Sequence, residues 1–293
     1  MITVFTPTYN RAYTLERLYR SLQSQTVQEF EWIVIDDGST DNTEELIANF
    51  KKENNMFSIR YEKVENGGKH RAINRGVELA KGELFYIVDS DDLLPSESLE
   101  MLLEISNSIE IDEKENFAGV CGQKGNLNQT EIGSTFTGDV IDITYLETRE
   151  NGISGDKAEV YYTEILKKFP FPEFDDEKFI PESVVWNRIG ETGLKLRYFN
   201  KIIYCCEYLD DGLTKQGIEK LKNIPKGYGL YLSQSIRYGK LRKLKKWETI
   251  LEYYNMFCEK YSIWELSKNL DMNPVKLYFR ILGMRLFYKL YNR

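Results

Sequence analysis

The run YIVDSDDLLP sets three carboxylates in four positions, at Asp89, Asp91 and Asp92, directly after an apolar stretch. Like charges this close repel and raise one another's pKa unless a cation is held among them. The chain has one histidine, His70, and four cysteines without CxxC spacing, so a metal bound here would have oxygen ligands. That favours Mg2+ or Mn2+. These ions take one or two carboxylates and complete their shell with phosphate oxygens, which makes Asp91, with Asp89 beside it, the metal-ligating candidate. The competing reading is a helix start, with Asp92 or Ser96 as N-cap near Pro95.

Three further polar segments can act with it. In DDGS (Asp36 to Ser39), an inward carboxylate can accept from the imide N–H of uracil or thymine or the N1–H of guanine. In TPTYNR, Tyr9 offers a ring face for stacking. In ENGGKHRAINRG, Gly67 and Gly68 allow close backbone approach, and Lys69 and Arg71 at the head of a helix can meet a diphosphate. The single histidine excludes multi-histidine zinc sites and any Ser-His-Asp triad that does not use it. No GxxxxGK[ST] loop is present and no GxGxxG follows a strand, which counts against ATPases and nicotinamide enzymes.

Holding these clusters together requires strands that end side by side. ITVFTP is strand-like, Leu15, Leu18, Tyr19 and Leu22 recur at helical spacing, and EWIVID returns to a strand. STDNTEELIANF reads as a helix with Ser, Thr, Asp and Asn available as caps. FSIRYEKV is a strand, KHRAINRGVELAKG a helix closed by Gly82, and ELFYIVD an apolar strand buried on both faces. Strands and helices alternating at these lengths predict an α/β fold on a mostly parallel sheet, with ligands beyond the carboxyl ends of the strands. TPTYNR, DDGS and DSDD follow the first, second and fourth strands. A turn-forming role explains any one of them; three at one sheet edge point to a site. From about residue 100 the pattern loosens, with SLEMLLEISNSI a helix, FAGVCGQ a strand, and a short helix after FPFPEFDDEKFIPESVVWNRIG begins.

ITVFTPTYNR, LYRSLQSQT, EFEWIVIDDGSTDNT and NGGKHRAINRGVELAKGELFYIVDSDDLLP resemble, in order and spacing, the nucleotide-sugar-binding half of family 2 glycosyltransferases, inverting enzymes of the GT-A fold. The resemblance is close over about the first hundred residues and thinner beyond. It implies a Rossmann-like sheet flanked by helices, with a nucleotide-sugar-binding half (1–100), an acceptor-binding and catalytic half of the same domain (101–215) and a helical C-terminal region (216–293). It further implies that Tyr9 packs on the base, with Thr6 and Pro7 at the same strand end, and that Asp37 takes the base N–H with Asp36 adjacent. Asp89-Ser90-Asp91 matches the DxD element, whose first Asp lies near the ribose and whose second ligates Mn2+ or Mg2+. Lys69 and Arg71 fall near the nucleotide.

The family's base is a carboxylate, often in an acid pair four residues before a Trp. Here PESVVW sets Glu182 four residues before Trp186, with Pro181 in place of the first acid, and Asp175, Asp176 and Glu177 as substitutes. The function implied is metal-dependent, inverting transfer of a sugar from a nucleotide-sugar, a UDP-sugar favoured, to a saccharide acceptor in bacterial surface glycan assembly. A donor-binding protein without catalysis is the rival suggested by Pro181. A sugar-phosphate nucleotidyltransferase would need a Gly-rich, basic loop after the first strand, which TPTYNR does not supply.

Net charge is −7, unevenly spread: residues 237–293 hold 13 Lys and Arg against 5 Asp and Glu, a balance of +8 that leaves −15 for the rest. The acidic body argues against nucleic acid as a partner. Leu241, Leu244, Trp247, Ile250, Leu251, Tyr254 and Phe257 share one helical face. After Asp271 no acid occurs, and Lys276, Arg280, Arg285, Lys289 and Arg293 fall near one stripe of a helix rich in Leu, Phe and Tyr. Such a helix reads as a membrane-surface element, which would suit a lipid-linked acceptor; docking on the catalytic domain and a homodimer interface compete. Met1 runs into a strand without a basic segment and long apolar stretch, and no apolar run reaches the roughly 18 residues of a membrane span, so a cytoplasmic protein, peripheral at the membrane if the tail binds it, is expected. The four cysteines, Cys121, Cys205, Cys206 and Cys258, read as reduced, buried small hydrophobes.

Overall fold

The computed structural model describes residues 1–207, 217, 219–239 and 243–291. The chain divides into two units, Met1–Phe171 with Val185–Asp210 and Pro172–Val184 with Asp211–Arg293.

The first unit begins with the expected alternation: β1 (Ile2–Thr8), α1 (Ala12–Gln23), β2 (Phe30–Asp36), α2 (Thr43–Phe50), β3 (Ser58–Lys63), α3 (Lys69–Leu79) and β4 (Leu84–Ile87). These strands lie side by side in the order β3-β2-β1-β4, all parallel, with Ile2 opposite both Phe30 and Leu84. Every residue of β1 and β2 is buried, which is why both read as unbroken apolar runs rather than alternating ones. On one face, Tyr19 of α1 stacks on Phe50 (centroids 4.0 Å apart) and on Trp32 (5.9 Å). The Trp32 indole N–H donates to Thr6 Oγ1 at 3.0 Å, so the one polar atom of this large side chain is satisfied inside the core.

The same sheet continues through α4 (Ser98–Asn107), β5 (Phe117–Asn126), β6 (Val140–Thr144), β7 (Lys157–Tyr162), α5 (Thr163–Lys168), α6 (Ser183–Glu191) and β8 (Lys195–Cys206). Across the sheet the order is β4-β7-β5-β8-β6. β7 is antiparallel to both β4 and β5, β5 and β8 are parallel, and β6 is antiparallel to β8. Six of the eight strands run one way, so the sheet is mostly parallel as expected; β6 and β7, both in its second half, run against them. Two antiparallel steps through β7 make β5 and β8 run with β4. The carboxyl ends of β1, β2, β4, β5 and β8 consequently share one edge.

Local signals differ from expectation at three places. The helix expected to close at Gly82 ends at Leu79, and Ala80 is already extended (ψ 136°). Gly82 is instead a close-approach glycine: a Cβ there would stand 2.3 Å from the Thr3 nitrogen, and its N–H donates to Thr3 Oγ1 (2.9 Å) and to Glu31 Oε1 (3.2 Å). Neither Asp92 nor Ser96 caps α4; it starts after Glu97, and the Leu99 N–H goes to Gln25 Oε1 at 3.1 Å. All four cysteines are free, but only Cys121 and Cys205 are buried; Cys206 and Cys258 are partly exposed.

The second unit contains α7 (Pro225–Arg237), α8 (Lys243–Phe257), α9 (Ile263–Asn269) and α10 (Pro274–Tyr291). Its core includes Tyr228, Leu232, Ile250, Tyr253, Phe257, Leu266, Leu277 and Ile281. Of the face expected on α8, Ile250, Leu251 and Phe257 are buried, Trp247 and Tyr254 pack against them, and Leu241 and the Leu244 side chain lie outside the described residues. The segment 172–184 belongs with these helices because Glu177 caps one of them. Its carboxylate accepts from the backbone N–H groups of Lys226 (2.6 Å) and Gly227 (2.7 Å), two of the donors a helix start leaves without partners. Among the described residues no helix is long and apolar enough to cross a membrane.

Candidate functional site

The ends of β1 and β2 are laced into one folded edge. Thr8 O accepts from Asp37 N at 2.8 Å, and Asp36 O accepts from Val64 N at 2.8 Å. Asn10 takes a left-handed backbone (φ 51°), which Asn tolerates better than most residues. Its N–H donates to Ser39 Oγ and its Oδ1 accepts from Thr40 N, both at 2.8 Å, while Asp41 Oδ2 accepts from Ala12 N at 3.1 Å. TPTYNR and DDGSTD are thus two halves of one loop system. Tyr9 stands on it with its side chain open, 48% exposed, as a stacking face requires.

The paired acids have separate uses. Asp36 is wholly buried and accepts from Ser39 N and the Tyr61 hydroxyl, both at 2.7 Å. Burial, together with the Asp36 charge, pushes the Tyr61 phenol far above its ordinary range, so Tyr61 stays a donor. Asp36 was expected beside the donor; it supports the edge from beneath and presents no surface to a ligand. Asp37 accepts from Gly67 N (2.7 Å), Gly68 N (2.8 Å) and Asn66 Nδ2 (3.1 Å). Gly68 is the N-cap of α3 at φ 97°, a conformation that favours glycine, so the Asp37 charge sits at the positive end of that helix. Thr6 and Pro7 are buried, and the Thr6 hydroxyl is engaged by Trp32. They too support rather than offer contacts.

At the end of β4 the DSDD cluster meets α3. Lys69, the first residue of α3, places Nζ 2.6 Å from Asp89 Oδ1 and 2.8 Å from Oδ2. Burial raises the Asp89 carboxyl, but the ammonium groups of Lys69 and then Lys124 outweigh it and hold Asp89 below the usual range. Ser90 is buried. Asp92 is also buried and accepts from the Tyr204 hydroxyl at 2.6 Å and from Glu207 N at 3.2 Å. The Tyr204 oxygen in turn accepts from Asp89 N at 3.0 Å. Burial and then the Asp89 charge push Asp92 up to about 7. Asp92 therefore braces the turn onto β8, a role strengthened by the Leu93–Cys205 bridge and by Arg17, which bonds both Asp91 O and Glu207. Lys124 lies over the Tyr204 ring at 4.3 Å.

Asp91 remains. It is partly exposed, and among the described residues it makes no ion pair. Burial and then Asp89 raise its carboxyl above the ordinary value. A carboxylate strained by its neighbour and open to solvent fits a divalent cation. No group of three or more His, Cys, Asp or Glu that could hold a metal ion occurs among the described residues. Mg2+ and Mn2+ do not require one, since one or two carboxylates hold them with phosphate oxygens supplying the rest. Asp91 is the residue that would hold it; Asp89 is already satisfied by Lys69. Arg71, in the first turn of α3, is partly buried.

Glu182 lies in the second unit, immediately before α6, half-buried. Its substitutes separate by environment. Glu177 is 1% exposed and committed to the α7 start, and Asp176 pairs with Lys226 at 2.6 Å; only Asp175 is exposed without such a commitment.

Residues 3–122 match the glycosyl transferase family 2 model. The nucleotide-binding half of the chain thus carries a domain of that family. A relative from Campylobacter jejuni, GalNAc(5)-diNAcBac-PP-undecaprenol beta-1,3-glucosyltransferase, is 26% identical over 268 residues, which cover 87% of this chain and 81% of that one. Residues 1–349 of Staphylococcus aureus TarS in complex with UDP-GlcNAc superpose with a TM-score of 0.59 at 20% identity, over 88% of this chain and 73% of that one. A mannosyltransferase from Pyrobaculum calidifontis, PcManGT, in complex with GDP-Man and Mn2+, gives 0.53 at 17% identity over 99% and 81%. At these identities the structural likenesses establish the fold, GT-A.

The site contains residues that motif reading did not supply. Tyr204 and Glu207 approach the aspartates from more than a hundred positions away, and Tyr61 secures Asp36 across β2 and β3. Only the β5–β8 pairing reveals that Lys124 and Tyr204 share this edge, because Lys124 is opposite Tyr204 in the register. No local signal marks them.

Proposed function

We propose that the chain transfers a sugar from a UDP-sugar to a hydroxyl of a lipid-linked saccharide at the cytoplasmic face of a membrane, with inversion at the anomeric carbon. The observation that carries this reading is the pairing of Lys69 with Asp89 while Asp91, two residues on, has no ion pair among the described residues and stays partly exposed. One carboxylate is neutralised by the protein and the other is left for a cation brought with a diphosphate. Tyr9 supplies the ring for the base, and the loop organised by Asp37 lies at the start of α3, where a diphosphate benefits from the helix end.

When bound, a divalent ion on Asp91 supplies electrostatic stabilisation of the departing diphosphate. Lys69 adds positive charge from the protein side. Glu182 removes the proton from the acceptor hydroxyl, whose oxygen bonds to C1 of the sugar on the face opposite the nucleotide as the C1–O bond to the diphosphate breaks. The C. jejuni relative, named for a polyprenyl-linked acceptor, supports the choice of acceptor, and TarS, bound to UDP-GlcNAc, supports UDP as the first donor to test.

The test is turnover of UDP-sugars with a polyprenyl-diphosphate-linked oligosaccharide. Glu182→Gln should lower kcat by about 10²–10⁴ with donor binding kept. Unchanged turnover retires Glu182 as base; donor binding without transfer by the wild type, over a panel of acceptors, would favour a binding protein instead.

A further inference from the structure

α10 is apolar on two sides. Leu277 and Ile281 are 0% and 5% exposed and, with the partly buried Met284, complete the core of the second unit. At about 100° per residue, Val275, Tyr278, Phe279, Leu282, Leu286 and Leu290 fall within an arc of about 120° on the opposite side. All six are open to solvent, from 42% at Leu282 to 73% at Leu290. The core side of the helix is already served, so this second stripe is not needed to hold the unit together. A contiguous exposed patch of large apolar side chains marks an interaction surface.

We infer that this stripe binds an anionic lipid surface, with α10 lying in the interface. The first argument is charge. Residues 272–293 contain no Asp or Glu and five Lys and Arg. These cations do not form the single stripe their spacing suggested. Lys276 and Arg280 fall to one side of the apolar arc; Arg285 and Lys289 fall on the other, Lys289 within its edge. Arg280 packs over the Trp247 ring at 4.5 Å, and Arg285 lies over Tyr254 at 5.4 Å and donates to Asn255 at 3.0 Å. Arg293 lies outside the described residues. Cations bordering an apolar face on both sides match acyl chains flanked by phosphate headgroups.

Composition gives the second argument. Tyr278 and Phe279 place aromatic rings in the stripe, and an amphipathic ring suits the headgroup level. A second copy of the chain fits less well, because it would set two acid-free, cationic helices against each other, and like charges across a contact oppose association. Among the described residues no helix, α10 included, is long and apolar enough to cross a membrane. The inference does not rest on the chemistry of the donor site, and its readout involves no turnover.

The test is flotation of the full chain with vesicles of phosphatidylcholine alone or containing phosphatidylglycerol. The wild type should float with the anionic vesicles, less with the neutral ones, and be released by raised salt. Leu282→Glu with Leu286→Glu should reduce partitioning about 100-fold, roughly tenfold for each leucine. Lys276→Glu with Lys289→Glu should cost about 30-fold or more on anionic vesicles and little on neutral ones. The leucine variant should keep its far-ultraviolet circular dichroism, since both side chains are exposed; if it does not fold, the lysine variant decides. Failure of the wild type to float with anionic vesicles, or equal partitioning of a folded variant, overturns the inference. So does light scattering that shows a wild-type dimer dissolved by the leucine substitutions without vesicle binding, which would assign the stripe to a contact between copies.

Discussion

Replacing Asp37 with Asn separates the two uses its carboxylate can have. The structure gives that carboxylate the N–H groups of Gly67 and Gly68, at 2.7 and 2.8 Å, at the start of α3. Asn keeps one carbonyl oxygen and turns an NH2 group toward the other donor. One charge-assisted hydrogen bond, roughly 1.5–3 kcal/mol, is lost, and a buried N–H is left without an acceptor. Removing the negative charge from the helix start costs about 0.3–1 kcal/mol more. A destabilisation of about 2–4 kcal/mol follows, which for a unit of this size lowers Tm by roughly 5–15 °C. Thermal unfolding without nucleotide measures it. A variant that melts within about 1 °C of the wild type yet fails to bind UDP would refute the structural role and leave Asp37 as a ligand contact alone.

Tyr204→Phe should destabilise by about 1–3 kcal/mol, since Asp92 loses its hydroxyl donor and Asp89 N its acceptor; metal-dependent nucleotide binding should weaken with it, as calorimetry would show, and an unaltered melting curve would contradict the bracing role. Glu177→Ala removes the cap of α7 and should cost about 1–2 kcal/mol in unfolding experiments while leaving UDP affinity unchanged. Loss of turnover with stability intact would instead make Glu177 the base in place of Glu182.

The legible parts of this chain are those decided by neighbours in sequence. Four parallel strands in the first ninety residues announce themselves because burial on both faces demands unbroken apolar runs, and their ends carry polar clusters that only a shared edge makes useful. The second half of the sheet was not legible. Its order, β4-β7-β5-β8-β6, is set by pairing between segments far apart, and β7 must run against both neighbours for β5 and β8 to align with β4. The same limit hid Tyr204, whose role depends on β8 lying beside β5. Asp36 illustrates a different failure: residue type and position fitted a ligand contact, but the Tyr61 hydroxyl on the adjacent strand consumes its free face. Segment 172–184 was read with the sheet, whereas its Glu177 caps a helix fifty positions on. On α10 the composition was plain and the division of faces was not, because apolar residues on both sides leave no single periodic signal.

Asp91, the partly exposed carboxylate at the end of β4, is proposed to hold the cation on which donor binding depends. Calorimetric titration of UDP into wild-type protein and into Asp91→Asn, each with and without Mn2+, addresses it most directly. Binding that requires Mn2+ in the wild type and disappears in the variant is the predicted result; UDP binding of equal strength in all four titrations would contradict it.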